Sequence, residues 1–147
     1  MSKQVLVLSR YGFDNLLHEH WITDLNVEDF SDTCFISINH VGTELKIPFQ
    51  FPHENVLTLL FDDVEENYVN SFTIEQAKQI KNFLQRNSNK DKFIVHCAQG
   101  ISRSGAVGEF IVNYFQLDYK EFKKNNPQVI PNQHVLRTLN SLFYTEN

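Results

Sequence analysis

The stretch His96-Cys97-Ala98-Gln99-Gly100-Ile101-Ser102-Arg103-Ser104 constrains this chain more than any other part of it. It follows a short apolar run, Phe93-Ile94-Val95, and leads into a helix-forming run from Gly105 onward. A cysteine and an arginine with five residues between them, bent around a glycine at a strand-to-helix turn, make a cradle for phosphate. The cysteine lies at its floor and the arginine at its rim. Successive backbone N–H groups in such a turn point inward, and the following helix adds the positive end of its dipole. A dianionic phosphate is stabilised there, and so is a thiolate. A helix N-terminus or a nearby cation can lower a cysteine pKa from about 8.5 to roughly 3.5–7.5, so Cys97 is expected to be ionised and poised to attack phosphorus. Arg103 offers a planar fork that matches two phosphoryl oxygens, which lysine cannot do. Gly100 permits the close backbone approach that a side chain would block. Ser104 can donate a hydrogen bond to the sulfur.

The full string from His96 to Ser104 resembles the HCxxGxxRS signature of the cysteine-dependent protein tyrosine phosphatases, in their small dual-specificity branch, with no departure from the motif. The resemblance implies that Cys97 forms a phosphocysteine and that Arg103 binds phosphate and transition state. It also implies that Ser104 assists breakdown of the intermediate and that His96 orients the loop and keeps the thiol acidic. The amides of Ala98, Gln99, Gly100, Ile101 and Ser102 would hold the phosphate. No metal and no cofactor is expected.

Such a mechanism needs an acid for the leaving oxygen, a role worth roughly a hundred- to ten-thousand-fold in rate. The family carries an aspartate on a loop after an apolar strand upstream of the cysteine. Here Val56-Leu57-Thr58-Leu59-Leu60-Phe61 runs straight into Asp62-Asp63. Neighbouring residues at a strand end point in opposite directions, and the family's pattern favours Asp63 over Asp62. Glu65 and Glu66 read as solvated loop charges. A second stretch, Asn126-Pro127-Gln128-Val129-Ile130-Pro131-Asn132, resembles the Pro-x-x-x-Pro-Asn segment of dual-specificity phosphatases. Pro131 suits the first turn of a helix, and Val135, Leu136, Leu139, Leu142 and Phe143 recur at helical spacing behind it. The resemblance covers roughly residues 56 to 143 and is weak over the first 50.

At 147 residues and 41% hydrophobic, the chain suits one domain, spanning 1–147, with a proper core. Alternating strands and helices imply an α/β sandwich: a central mixed sheet of about five strands flanked by helices, with the phosphate loop at a strand's carboxyl end. The expected strands are Gln4 to Ser9, Thr33 to Asn39, one through Leu45-Lys46-Ile47, Val56 to Phe61, and Phe93 to His96. Thr73 with Gln76 forms a capping box for a helix whose apolar face is Ile74, Ala77, Ile80 and Leu84. Further helices are expected from Gly105 to about Phe115 and near Asp118–Lys123.

Only Cys34 and Cys97 occur, which is no disulfide framework. Cys34 reads as core packing, with a regulatory disulfide to Cys97 as the alternative. No apolar run reaches the length of a membrane span and no signal peptide pattern opens the chain. With a thiolate that suits reducing surroundings, a cytoplasmic location is expected. His18 and His20, at i, i+2, splay apart on a helix and read as surface residues rather than metal ligands. Arg10 and Tyr11, following the first strand, are candidates to flank the cleft.

The net charge of -5 is uneven: residues 1–75 hold 3 basic and 13 acidic side chains, residues 76–147 hold 10 and 5. Solvated surface charge is the simpler reading; an acidic lobe beside the cleft would instead favour phosphopeptides with basic neighbours. No basic patch with interleaved aromatics suggests nucleic-acid binding. The expected substrate is a phosphorylated protein or peptide, on phosphotyrosine and by extension phosphoserine or phosphothreonine. Ala98, Gln99, Ile101 and Ser102 are uncharged, which disfavours lipid phosphates; RNA 5′-phosphate and small metabolites stay open. The alternatives are a phospho-binding pseudophosphatase and a sulfur-transfer or arsenate-reducing enzyme, whose motifs are placed differently along the chain.

Overall fold

The computed structural model describes residues 3–145. Four parallel strands, β1 (Gln4–Leu8), β2 (Thr33–Asn39), β3 (Val56–Leu60) and β4 (Lys92–His96), lie in the order β1-β4-β2-β3. Helices α1 (Arg10–Glu19), α2 (Ile74–Arg86), α3 (Arg103–Tyr114), α4 (Tyr119–Asn125) and α5 (Gln133–Thr145) surround the sheet.

The two faces follow from side-chain alternation along each strand. Val5 and Val7, Cys34, Ile36 and Ile38, and Phe93 and Val95 point into one core, with α2, α3, α4 and α5. Leu6 and Leu8, Phe35 and Ile94 point into a smaller one, with Phe13 and Leu17 of α1 and Phe49 from a loop. Being covered on both faces, β2 is buried along its whole length.

Several expectations are corrected. Among the described residues the sheet is parallel with four strands, rather than mixed with about five. The expected strand at Leu45-Lys46-Ile47 is a 3-10 turn over Glu44–Lys46. Leu45 there is 92% exposed, and Phe49 fills the core instead, so the run has no apolar face to bury. Pro48, which lacks an N–H, could not join a ladder in any case. The helix after the phosphate loop starts at Arg103, two residues earlier than expected. Pro131 stays outside α5, whose first turn is capped by Asn132: its Oδ1 accepts from Val135 N at 3.0 Å.

The free edge of β1 is closed by side chains. Asn126, fully buried, accepts from Val7 N at 2.8 Å and donates to Val5 O at 2.9 Å. Gln128 Nε2 donates to Val7 O at 3.1 Å. One amide side chain thus imitates a neighbouring strand, blunting an edge that would otherwise be open. At the far edge, the expected capping box is present: Thr73 Oγ1 accepts from Gln76 N, and Gln76 reaches on to Leu60 O of β3. The register sets Cys34 beside Phe93, four residues before Cys97. At about 3.3 Å per residue that separates the thiols by roughly 13 Å, so a Cys34–Cys97 disulfide would require the sheet to come apart. Burial pushes the Cys34 thiol up to about 12, as suits a packed core residue.

Candidate functional site

The 97–102 loop connects β4 to α3 at the carboxyl end of the sheet, and its carbonyls are tied down on the outside. Ala98 O accepts from Arg10 N, Ile101 O from Ile130 N, and Ser102 O from Asn132 N, at 3.0–3.1 Å. Gly100 O accepts from Gln128 Nε2 at 3.1 Å. With carbonyls directed outward, the amides turn inward, and the N–H groups of Gly100 and Ser104 are directed at the Cys97 sulfur. The family-like segment 126–132 is therefore a brace for this loop.

Gly100 shows how tight that seat is. Its φ is +73°, and a Cβ there would lie 2.5 Å from Ser9 N and 2.6 Å from Leu8 C. Those are backbone atoms at the end of β1 and cannot step aside. Gly100→Ala combines a left-handed strain with a clash, and is expected to cost about 2 kcal/mol or more. Thermal denaturation should show the lower midpoint, and phosphate affinity should fall with it because the Gly100 amide leaves the sulfur.

Cys97 is buried, with Sγ 2.9 Å from Ser104 Oγ. Burial alone would push its thiol up. The Ser104 hydroxyl, the two loop amides and the Arg103 charge outweigh burial, and the thiol lies below its ordinary value. His96 is desolvated, and its pKa falls to about 4, so it is neutral at physiological pH. Its Nδ1 faces Cys97 O at 3.1 Å; since a carbonyl only accepts, Nδ1 carries the hydrogen. Nε2 then accepts from Ser37 Oγ at 2.6 Å, and Ser37 is in turn met by Asn39 Nδ2 at 3.1 Å. Phe13 stacks on the imidazole with centroids 4.2 Å apart. His96 is thereby held in one tautomer and orientation.

Arg103 is only 3% exposed. Nη1 donates to Phe61 O at 2.9 Å, no carboxylate pairs with it among the described residues, and Nε has no acceptor. A buried guanidinium whose opposite charge is the Cys97 thiolate, and whose Nε still lacks an acceptor, is suited to an incoming anion. Cys97, Ala98, His96 and Arg103 share one cavity of about 190 Å³, with Arg10 and Lys46 at its mouth. Larger cavities, of about 430 and 360 Å³, lie elsewhere, and neither has a cysteine in its wall.

The two aspartates diverge as adjacent residues at a strand end must. Asp63 Oδ1 accepts from Ser102 Oγ at 2.9 Å and Asn132 Nδ2 at 2.8 Å, which sets it against the phosphate loop. Asp62 accepts from Val41 N at 3.1 Å through Oδ1 and from Asn70 Nδ2 at 3.2 Å through Oδ2, with His40 at 3.5 Å. Its pKa lies below the ordinary value: slight burial acts upward, and the Val41, Asn70 and His40 contacts outweigh it.

The structure thus brings His96, Cys97, Gly100, Arg103 and Ser104 together, with Asp63 on the loop's outer rim. Of the flanking candidates, Arg10 lines the cavity, whereas Tyr11 is 78% exposed and turned away from it. His18 and His20 are exposed, and no group of metal-binding side chains occurs among the described residues. Sequence reasoning missed Ser37, Asn39 and Lys46, and read Gln128 and Asn132 only as part of a family-like segment. Ser37 and Asn39 left one signal, two polar residues in an otherwise apolar strand; the contacts of Gln128 and Asn132 with the loop arise only through the fold.

No family model matches the chain, and no curated protein matches its sequence. Solved structures do match its fold. The human tyrosine phosphatase-like serine/threonine/tyrosine-interacting protein is 20% identical, with 88% of this chain and 82% of that one covered at a TM-score of 0.56. The PTP-2 phosphatase of Cydia pomonella is 18% identical, with 95% and 86% covered at 0.61. A leucine-rich-repeat and phosphatase-domain protein from Entamoeba histolytica is 12% identical, with 97% and 90% covered at 0.54. At these identities the likeness is one of fold.

Proposed function

We propose that this chain, whose fold is that of the protein tyrosine and dual-specificity phosphatases, is a cysteine-dependent phosphoric monoester hydrolase acting on phosphorylated proteins or peptides. Phosphotyrosine is its main target, and phosphoserine and phosphothreonine are admitted if the pocket is shallow enough. One observation carries the reading: a single loop lowers a thiol and buries an unpaired guanidinium in the same cavity. A sulfur-transfer or arsenate-reducing enzyme can share such a loop but places its motif differently along the chain; here Cys97 lies two-thirds along, with the aspartates before it.

In the proposed mechanism the phosphate dianion takes its hydrogen bonds from Arg103 and from the amides of Ala98 to Ser102. The Cys97 thiolate attacks phosphorus, the bond to the ester oxygen breaks, and Asp63 delivers the proton to that oxygen. Water then attacks the phosphocysteine while the Asp63 carboxylate takes its proton. The electron pair returns to sulfur, where the Ser104 hydroxyl donates a hydrogen bond. Neutral His96 acts through the Cys97 carbonyl and holds the loop in place. Asp63 is assigned over Asp62 because all its contacts fall on one oxygen, whereas both Asp62 oxygens are engaged by donors that favour the ionised form. A thiolate nucleophile requires reducing surroundings, which favours the cytoplasm; no helix among the described residues is long and apolar enough to cross a membrane.

The deciding measurement is p-nitrophenyl phosphate hydrolysis with EDTA and a reductant. The expected result is turnover indifferent to EDTA and abolished by thiol oxidation. Phosphopeptide binding with no hydrolysis of any ester would instead make the protein a phospho-binding module. Asp63→Asn is expected to slow aryl phosphate turnover about a hundredfold while phosphate still binds. A larger loss from Asp62→Asn would transfer the role to that residue.

A further inference from the structure

We infer that the mouth of this cavity holds a second anion subsite centred on Lys46, so that the preferred substrate is a phosphopeptide with an acidic side chain beside the phosphorylated residue. The inference rests on the phosphatase reading and adds the substrate class.

The uneven charge of the sequence suggested the reverse. Residues 1–75 hold 3 basic side chains against 13 acidic ones, yet the fold gathers two of those three, Arg10 and Lys46, at the cavity mouth. Three acids of the neighbouring segments are hydrogen-bonded to groups other than Lys46. Asp14 accepts from Arg10 Nε at 2.9 and 3.0 Å through its two oxygens. Glu44 is turned back onto Gly42 N at 3.0 Å, and Asp62 is held by Val41 N, Asn70 and His40. Arg10 Nη2 donates to Lys46 O at 2.6 Å, which pins the 44–46 turn to the start of α1. The Lys46 side chain itself is exposed and has no hydrogen bond or ion pair among the described residues. Among the described residues no carboxylate lines the cavity, and Lys46 is an unpaired cation in its wall, on a turn held by Arg10.

The extent of that charge separates a peptide from a nucleic acid. A polyanion needs a track of cations, and here a lone lysine is surrounded by an acid-rich half of the chain. Val41 and Leu45, 43% and 92% exposed on the same turn, offer apolar surface for a peptide to cover. One added carboxylate or phosphate group, on a peptide, matches this mouth.

The test uses two phosphotyrosine peptides that differ only in having glutamate or alanine next to the phosphorylated residue. Wild type is expected to favour the acidic peptide about two- to fivefold in kcat/KM, the range for one exposed ion pair. The preference should appear in KM rather than kcat and should shrink at high salt. Lys46→Ala should bring the ratio to near one and Lys46→Glu should invert it. Because each ratio compares two substrates on one variant, a general loss of activity cancels. The same pair measured for binding to Cys97→Ser reports the preference without turnover, so a failed hydrolysis assay overturns the phosphatase reading and leaves the subsite to be judged on binding. Equal binding of both peptides, or a ratio that survives Lys46→Glu, overturns the subsite. So does a 5′-phosphorylated oligonucleotide that is bound or hydrolysed better than either peptide.

Discussion

Cys97→Ser is expected to reduce p-nitrophenyl phosphate turnover by about four orders of magnitude or more, as loss of a covalent nucleophile does elsewhere, while phosphate affinity stays within a few-fold of wild type. The asymmetry follows from what the loop does for each ligand. The amides of Gly100 and Ser104, the Ser104 hydroxyl and Arg103 all favour a negative charge at the Cys97 sulfur, enough to outweigh its burial. They cannot ionise a serine hydroxyl, whose pKa starts far higher than a thiol's, so the attack on phosphorus is lost. The outward-facing carbonyls remain tied to Arg10, Gln128, Ile130 and Asn132, so the loop keeps its shape and still binds phosphate. Wild type quenched in acid during turnover should carry one phosphate on Cys97 by mass spectrometry, and the serine variant none. Turnover by the serine variant within tenfold of wild type would remove Cys97 from the mechanism.

The second large effect is expected at Arg103. Its guanidinium is braced by Phe61 O at 2.9 Å and presents an Nε with no acceptor in the protein. Arg103→Lys keeps the charge and loses the fork, so one ammonium cannot both hold Phe61 O and bridge two phosphoryl oxygens. Removing one preorganised donor to transition-state charge costs about 10²–10³ in kcat, and phosphate binding should weaken alongside. Near-normal kinetics for Arg103→Lys would dismiss the cradle. The same residue exposes a trade-off between stability and function. A buried charge with an unsatisfied donor costs desolvation that an apolar side chain avoids, so Arg103→Met is expected to melt at a higher temperature than wild type in phosphate-free buffer. Added phosphate should raise the melting temperature of wild type only. Equal stabilisation of both proteins would mean that phosphate binds somewhere other than this loop.

The two Asp63 donors, Ser102 and Asn132, illustrate how the parts depend on one another. Ser102 lies inside the phosphate loop, and Asn132 caps α5 while its own N–H holds the Ser102 carbonyl. Loop, acid and last helix therefore meet at one asparagine. A change there would act on the site through position alone.

The loop of the candidate site was legible in the sequence because it is local. His96 through Ser104 are neighbours in the chain, and a strand, a glycine turn and a helix start suffice to fold them into a cradle. The short apolar runs Gln4 to Ser9, Thr33 to Asn39, Val56 to Phe61 and Phe93 to His96 likewise identified the four strands, and Thr73 with Gln76 marked the start of α2, since each signal is contained within a few residues. The expected strand at Leu45–Ile47 failed for the complementary reason: its short apolar pattern found no partner, and Phe49 took the core position. What only the tertiary structure decided is everything that crosses between distant segments. Asn126 closes the edge of a strand more than a hundred residues earlier, Ser37 meets Nε2 of His96 from a neighbouring strand, and the divergence of Asp62 and Asp63 depends on which donors the fold places around each. The electrostatics of the mouth belong to the same class. The sequence count made the first half of the chain acidic, but a charge acts over ångströms in space, and folding sets Arg10 and Lys46 in the wall of a cavity that no carboxylate lines.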